Sequence, residues 1–220
     1  MSTELKIDFV SDIACPWCAV GLNTLEAALA RLPEGVTAKL HFQPFELNPH
    51  MPDAGQDTAE HLTQKYGSTP AQQAQIREVI RQRGAEVGFV FRAQGRDRIY
   101  NTFDAHRLLH WAALEGAGYQ QQLKKALLRA YFTDGENPAS HEVLLRLARE
   151  VGLDDGRAAA ILASDEFAAE VREVEARYQN AGIHSVPAII INDRHLISGA
   201  QPLSVFVQTL GQIAGSVNPA

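Results

Sequence analysis

Cysteine is nearly absent. In 220 residues it occurs twice, as Cys15 and Cys18, both inside SDIACPWCAVG at positions 11–21. Two thiols exclude a disulfide framework and a zinc site made of cysteines alone. Long apolar runs are absent too, none approaching the roughly 20 residues of a membrane-spanning helix. There is no excess of positive charge. The formal net charge is -6 with both signs mixed along the chain, which leaves no basic stripe for nucleic acid and no polybasic patch for a membrane surface. The opening MSTELKIDFVSD lacks a charged segment leading into an apolar one, as a secretory signal would have, and reads as a first strand. Repeats and low-complexity tracts are missing. A cytoplasmic protein with no nucleic-acid or membrane partner is expected. In that reducing compartment a close cysteine pair is more often catalytic or metal-binding than structural.

The chain is long enough to bury a core without disulfides. LKIDFV (5–10) alternates, with Leu5, Ile7 and Phe9 on one face, and predicts a strand. Leu22, Leu25, Ala28, Leu29 and Leu32 recur at helical spacing until Pro33 and Gly35. TAKLHF (37–42) alternates again. Residues 44–56 are loop-like, and from about 58 to 181 the signals are helical. Leu123, Ala126, Leu127, Ala130 and Tyr131 share one face. Val143, Leu144, Leu147, Ala148 and Val151 share another, after Ser140 as N-cap, and Phe167, Val171, Val174 and Tyr178 a third, with Ser164 as its cap. VPAIIIN (186–192) then reads as a strand, NDR as a turn, HLIS (195–198) as its hairpin partner, and Pro202 as the opening of a last helix. The order is β-α-β, a helical block, then β-β-α.

In CPWC, Ala14 or Cys15 is expected at the N-cap of the first helix, with Pro16 at its first position. Free amides and the positive end of the helix dipole there favour a thiolate, and cysteine pKa falls below about 8.5 in such places. Cys18, one turn on, is turned inward at a separation a disulfide can bridge. Cys15 is therefore expected to attack and Cys18 to resolve. The competing readings are a small structural disulfide, two buried bystanders, or a zinc site whose other ligands come from elsewhere. His106 and His110 stand at i, i+4, but nothing in the sequence ties them to CPWC, and helix packing explains them and Trp111. The second signal is Ser185-Val186-Pro187, with Pro187 at a strand start, where proline is tolerated and a cis bond would be a specific device.

Together these residues resemble the DsbA family of the thioredoxin-like superfamily, whose paired signatures are CPWC before the first long helix and Val-Pro before a strand. DFVSDIACPWCAVG, NTFDAHRLLHWA, VPAIIIND and ISGAQP are similar to its FrnE-type cytoplasmic branch. That branch is related to 2-hydroxychromene-2-carboxylate isomerases and kappa-class glutathione transferases. The resemblance covers nearly the whole chain. It implies an α/β, thioredoxin-like fold with a large all-helical insertion domain: 1–54 and 179–220 form the thioredoxin-like part, and 55–178 the insertion.

The resemblance also implies one site of Cys15, Cys18, Val186 and a cis Pro187, in which the Val186 backbone pairs with an extended substrate. Pro16, Trp17, Gly199, Gln201 and Asn101 are expected around the substrate, Trp17 covering the sulfurs and Gly199 letting a strand end pass close. Asp104 and Arg107 are read either as lining the cleft or as internally paired. Six residues before Cys15, where the resemblance implies a buried acid, stands Phe9. The nearest carboxylate, Asp12, is read as a surface or capping residue. The implied activity is thiol–disulfide exchange on a protein or small-molecule disulfide or dithiol. No metal or resident cofactor is expected, and glutathione is a candidate co-substrate. The alternative is a glutathione-dependent isomerase or transferase acting on a small aromatic or polyketide-like substrate, whose relatives place serine where Cys15 stands. A non-catalytic scaffold is the third class.

Overall fold

A computed structural model describes residues 3–52, 54–116 and 118–217. The ends of the expected outer segments, 1–2 and 218–220, lie outside them. β1 (Thr3–Ser11) exposes Glu4 and Lys6, but from Ile7 onward every residue is buried. A strand covered on both faces lies inside a sheet, and β1 does. α1 (Pro16–Leu29) carries the chain over to β2 (Val36–Pro44), which runs parallel to β1 with Phe42 opposite Phe9. The helix stops before Leu32, and the chain leaves it through tight turns, Arg31 N–H to Ala28 O and Leu32 N–H to Leu29 O.

Between β2 and the C-terminal strands the chain is helical with one exception. β3 (Gln56–Asp57) pairs antiparallel with β4 (Arg98–Ile99), enclosing α2 (Thr58–Tyr66) and α3 (Pro70–Glu86). The insertion is therefore not all helix. Two residues per strand leave no period-two signal to read, and the pair joins the ends of a long excursion. α4 (Phe103–Glu115), α5 (Tyr119–Arg129) with a π-helical turn at Ala130–Asp134, α6 (His141–Glu150), α7 (Asp155–Leu162) and α8 (Ala168–Asn180) follow. The apolar faces of α5 and α6 are where the spacing put them: Leu123, Ala126, Leu127, Ala130, Tyr131, Leu144, Leu147 and Ala148 are buried. Ser140 is the N-cap position of α6. Ser164 does not cap α8. Its hydroxyl turns back to the carbonyls of Ala160 and Ile161 at the end of α7, and Phe167, at φ 63°, precedes α8.

β5 (Ala188–Ile191) then pairs antiparallel with β1, β6 (His195–Ser198) with β5, and α9 (Leu203–Val217) packs along α1. The sheet order is β2-β1-β5-β6. One core contains Ile7, Phe9, Leu22, Ile189 and Phe206 together with Leu108, Trp111 and Leu127 of the insertion. Each such side chain contributes about 1.5–3 kcal/mol on burial, so the insertion and the sheet are held by the same apolar interior. The Gln120 side chain of α5 closes the free edge of β2. It accepts from Phe42 N–H (3.0 Å) and donates to Phe42 O (2.9 Å), as a further strand would.

Candidate active site

The loop from β1 to α1 is fixed by Asp12, which is wholly buried. Its Oδ1 accepts from Ala14 N–H (3.1 Å) and the Thr102 hydroxyl (2.8 Å), and its Oδ2 from Leu47 N–H (2.7 Å). His106 Nε2 stands 3.5 Å from Oδ1. Burial pushes the Asp12 pKa up, but His106 and the two amides outweigh it and leave the carboxyl below its ordinary value. Asp12 is thus neither a surface residue nor a helix cap. It is the hub that ties the cysteine loop to the end of β2 and the start of α4. Thr102, the N-cap position of α4, gives its hydroxyl to Asp12 and none to its own helix.

Cys15 is the N-cap of α1 in extended conformation, and Pro16 begins the helix. Both cysteines are free. Cys15 is 4 % exposed and Cys18 not at all. The neighbouring Cys18 thiol, then the Cys18 amide and the Arg96 charge, hold Cys15 below the ordinary thiol value against burial and Asp12. Burial pushes the Cys18 thiol well up, and its neighbour Cys15 adds to this. The two thiols are therefore pushed in opposite directions, Cys15 toward thiolate and Cys18 away from it. Alkylation with iodoacetamide, followed by mass spectrometry across pH, should label Cys15 with a midpoint below about 8.5 and leave Cys18 unmodified until the protein unfolds. Cys18 labelling first in the native protein would reverse the two roles.

The Val186–Pro187 bond is cis, and the Cys15 thiol lies 3.5 Å from the Val186 carbonyl oxygen. Gly21, on α1, lets this loop come close: a Cβ there would meet Pro187 Cγ at 3.0 Å. Gly199, at φ +78°, ends β6 in a conformation that favours glycine and donates its N–H to Pro187 O at 2.8 Å. Two chain-distant segments thus meet at Cys15, the start of α1 and the Val186–Pro187 corner, and the turn after β6 is bonded to Pro187.

The other sequence candidates divide. Pro16 and Trp17 are half-buried in the first turn of α1, Trp17 packing on the core. Gln201 folds back on its own turn, donating to Ser198 O (2.7 Å). Asn101 accepts from Phe103 N–H (2.8 Å) and reaches Met51 O (3.4 Å). Asp104 and Arg107 are paired to each other, and Arg107 also holds the carbonyls of Ile161 in the last turn of α7 and of Ser164 and Glu166 after it, while Asp104 meets His141. They brace the insertion. Trp111 is buried and donates to Glu115, and His110 packs on Phe167.

Sequence reading missed Arg96 and Lys124. Arg96 lies against the rings of Tyr131 (5.7 Å) and Phe132 (5.6 Å), donates to the Ala14 carbonyl, and supplies positive charge beside Cys15. No pattern in its loop marks it. Lys124 did carry a signal, since it precedes Leu127 and Leu128 by three and four residues on an apolar helix face. Among the described residues no group of three or more His, Cys, Asp or Glu side chains could hold a metal ion.

The DSBA-like thioredoxin domain family matches residues 6–211. The chain belongs to that family. A probable DsbA oxidoreductase from Streptomyces coelicolor is similar to this DSBA-like chain, at 36 % identity and TM-score 0.88, over 98 % of this chain and 92 % of the other. Two further solved structures share the DSBA-like fold alone. A 2-hydroxychromene-2-carboxylate isomerase is 14 % identical with TM-score 0.70, over 96 % of this chain and 97 % of its own. The cytosolic disulfide reductase DsbM of Pseudomonas aeruginosa, solved with glutathione, is 18 % identical with TM-score 0.63, over 94 % of this chain and 98 % of its own. No helix among the described residues is long and apolar enough to cross a membrane.

Proposed function

We propose that this protein is a cytoplasmic thiol–disulfide oxidoreductase. Cys15 is its nucleophile and Cys18 its resolving thiol. The observation that carries this reading is the pair itself. Two free thiols share the N-terminus of α1 beside the Val186 carbonyl, with Cys15 pushed toward thiolate and Cys18 away from it. The Cys15 thiolate attacks a disulfide R–S–S–R′, forming Cys15–S–S–R and releasing R′S⁻. Cys18 sulfur then attacks Cys15 Sγ, the Cys15–Cys18 bond forms, and RS⁻ leaves. The protein pair has given two electrons to the substrate. Two molecules of an external thiol restore the pair by the reverse exchange. Glutathione fits that role, and a cytosolic reductase of the same fold solved with glutathione supports it. The chemistry needs no resident cofactor.

Substrate approaches from the Val186–Pro187 side, where an extended segment adds to the backbone as a strand would. The Cys18→Ser protein, expressed in cells, should accumulate mixed disulfides on Cys15 that dithiothreitol releases. A variant recovered with no covalent partner at Cys15 would leave this reading without support. The isomerase fold match favours a second reading, glutathione-dependent isomerisation of a small aromatic substrate. The retained and perturbed Cys18 weighs against it, because that chemistry has no use for a resolving thiol.

A further inference from the structure

Cys18 must lose a proton before it can attack, yet it is wholly buried and burial holds its proton on. Phe9, in the same core, offers no acceptor. The groups acting on Cys18 most strongly from outside its own turn include one basic side chain, Lys124.

Lys124 is itself unusual. It lies on α5 with 0 % exposure, and its Nζ has no hydrogen-bond partner among the described residues. An isolated buried ammonium costs several kcal/mol and is tolerated chiefly by shedding its proton or pairing with a charge. Burial lowers the Lys124 pKa, while the charges of Cys18, Asp12 and Cys15 resist this. The helix geometry places it. Cys18, Leu22 and Glu26 follow at i, i+4 and i+8 on one face of α1. Glu26 accepts from Gln121 (2.6 Å) and Lys125 (2.8 Å) of α5, and Leu22 shares a cavity wall with Ala126. That face of α1 is therefore tied to α5 at its Glu26 end. On its other side Lys124 lines a cavity of about 190 Å³ with His41, Gln43, His106 and Gln120, whose rim includes the exposed Leu114. A polar cavity of this size admits water.

We propose that Lys124 is the proton acceptor of the resolving thiol, and that the cavity between β2, α4 and α5 is its route to solvent. The inference rests on the thiol–disulfide reading above. In the resolving step the Cys18 proton passes through one water to the neutral amine of Lys124. The freed sulfur pair forms the bond to Cys15 Sγ, the Cys15–substrate bond breaks, and the substrate leaves as a thiolate. The Lys124 ammonium then gives its proton to water in the cavity. When an external thiol reduces the pair, the amine takes a proton from the cavity water and passes it to Cys18.

The reaction of the reduced protein with Ellman's reagent separates the steps. Attack by Cys15 releases one thionitrobenzoate, and attack by Cys18 on the mixed disulfide releases the second. Thionitrobenzoate leaves without needing a proton, so the second phase reports Cys18 deprotonation. Lys124→Met keeps the volume and removes the amine. Its second phase should slow about 10²-fold at neutral pH, the lower end of general-base effects, and should accelerate about tenfold per pH unit as Cys18 ionises unaided. The first phase should change less than about threefold. Lys124→Gln should behave alike if the Met protein does not fold.

The other groups facing this amine are Asp12, Cys15 and Cys18, with His41, His106 and His110 around the cavity, and none of them is altered by either substitution. A second phase within twofold of the wild type would overturn the proposal, as would equal slowing of both phases. Restoration by Lys124→Arg would overturn it too, because a guanidinium cannot take up a proton. A wild type that forms no Cys15 mixed disulfide would instead overturn the underlying reading.

Discussion

Serine at position 15 is expected to reduce disulfide exchange to the uncatalysed rate. A hydroxyl does not exchange with a disulfide, and Cys18 cannot substitute for Cys15. It is fully buried, and burial holds it as a thiol. The wild type should reduce insulin with glutathione or dithiothreitol as donor, and its Trp17 fluorescence should change reversibly as the neighbouring sulfurs are oxidised and reduced. Cys15→Ser should do neither. The isomerase reading requires the opposite result, since the resemblance to that branch implies serine at this position. The variant would then keep glutathione-dependent turnover of an aromatic substrate. Retained turnover in the Ser variant, with no disulfide reduction by the wild type, would replace the oxidoreductase reading. Glutathione binding alone separates nothing, because both chemistries can use it.

The parts of this site that could be read in the sequence are the local ones. CPWC carries its own chemistry, because a helix start, a proline at the first helical position and a thiol one turn on are all set within four residues. The alternation in β1 and the apolar run after Pro187 identified two neighbouring strands, and the stripes on α5 and α6 gave the buried faces of the insertion. What stayed hidden depends on chain-distant partners. Asp12 reads as a surface or capping residue until Leu47 and Thr102 close over it. Arg96 gains meaning only where its loop lies on Tyr131 and against the carbonyl of Ala14. Lys124 and Lys125 are adjacent and chemically identical, yet one is buried and the other pairs with Glu26 at the surface. Their helix phase separates them, but residue type argued the other way. The β3–β4 pair and the failure of Ser164 as a cap are also long-range outcomes. Neither a two-residue strand nor a serine with two free carbonyls nearby has a preference strong enough to decide its own fate.

Asp12→Ala is expected to destabilise the fold while making Cys15 more acidic. The substitution leaves the amides of Ala14 and Leu47 and the hydroxyl of Thr102 without their acceptor in a buried site. Removing one member of such a buried, charged network costs about 3–5 kcal/mol, or roughly 6–20 °C in the melting temperature of a domain of this size. The charge of Asp12 raises the Cys15 pKa, so its loss should shift the alkylation midpoint of Cys15 downward. A merely loosened loop would instead expose Cys15 and move that midpoint toward the free-thiol value.

The pH dependence follows from the direction of the Asp12 shift. The folded carboxyl sits below its unfolded value of about 3.9. Its contribution is therefore fully present above that value and is lost as pH falls through the folded one. Wild-type stability should fall in this acid range, and the part of the fall owed to Asp12 should be missing from Asp12→Asn, which keeps the shape but not the titration. Chemical denaturation of the three proteins between pH 7 and pH 2, with Cys15 alkylation measured on the same samples, checks both halves. An unchanged melting temperature in Asp12→Ala, or a Cys15 midpoint that rises, would remove Asp12 from its place as the hub of the cysteine loop.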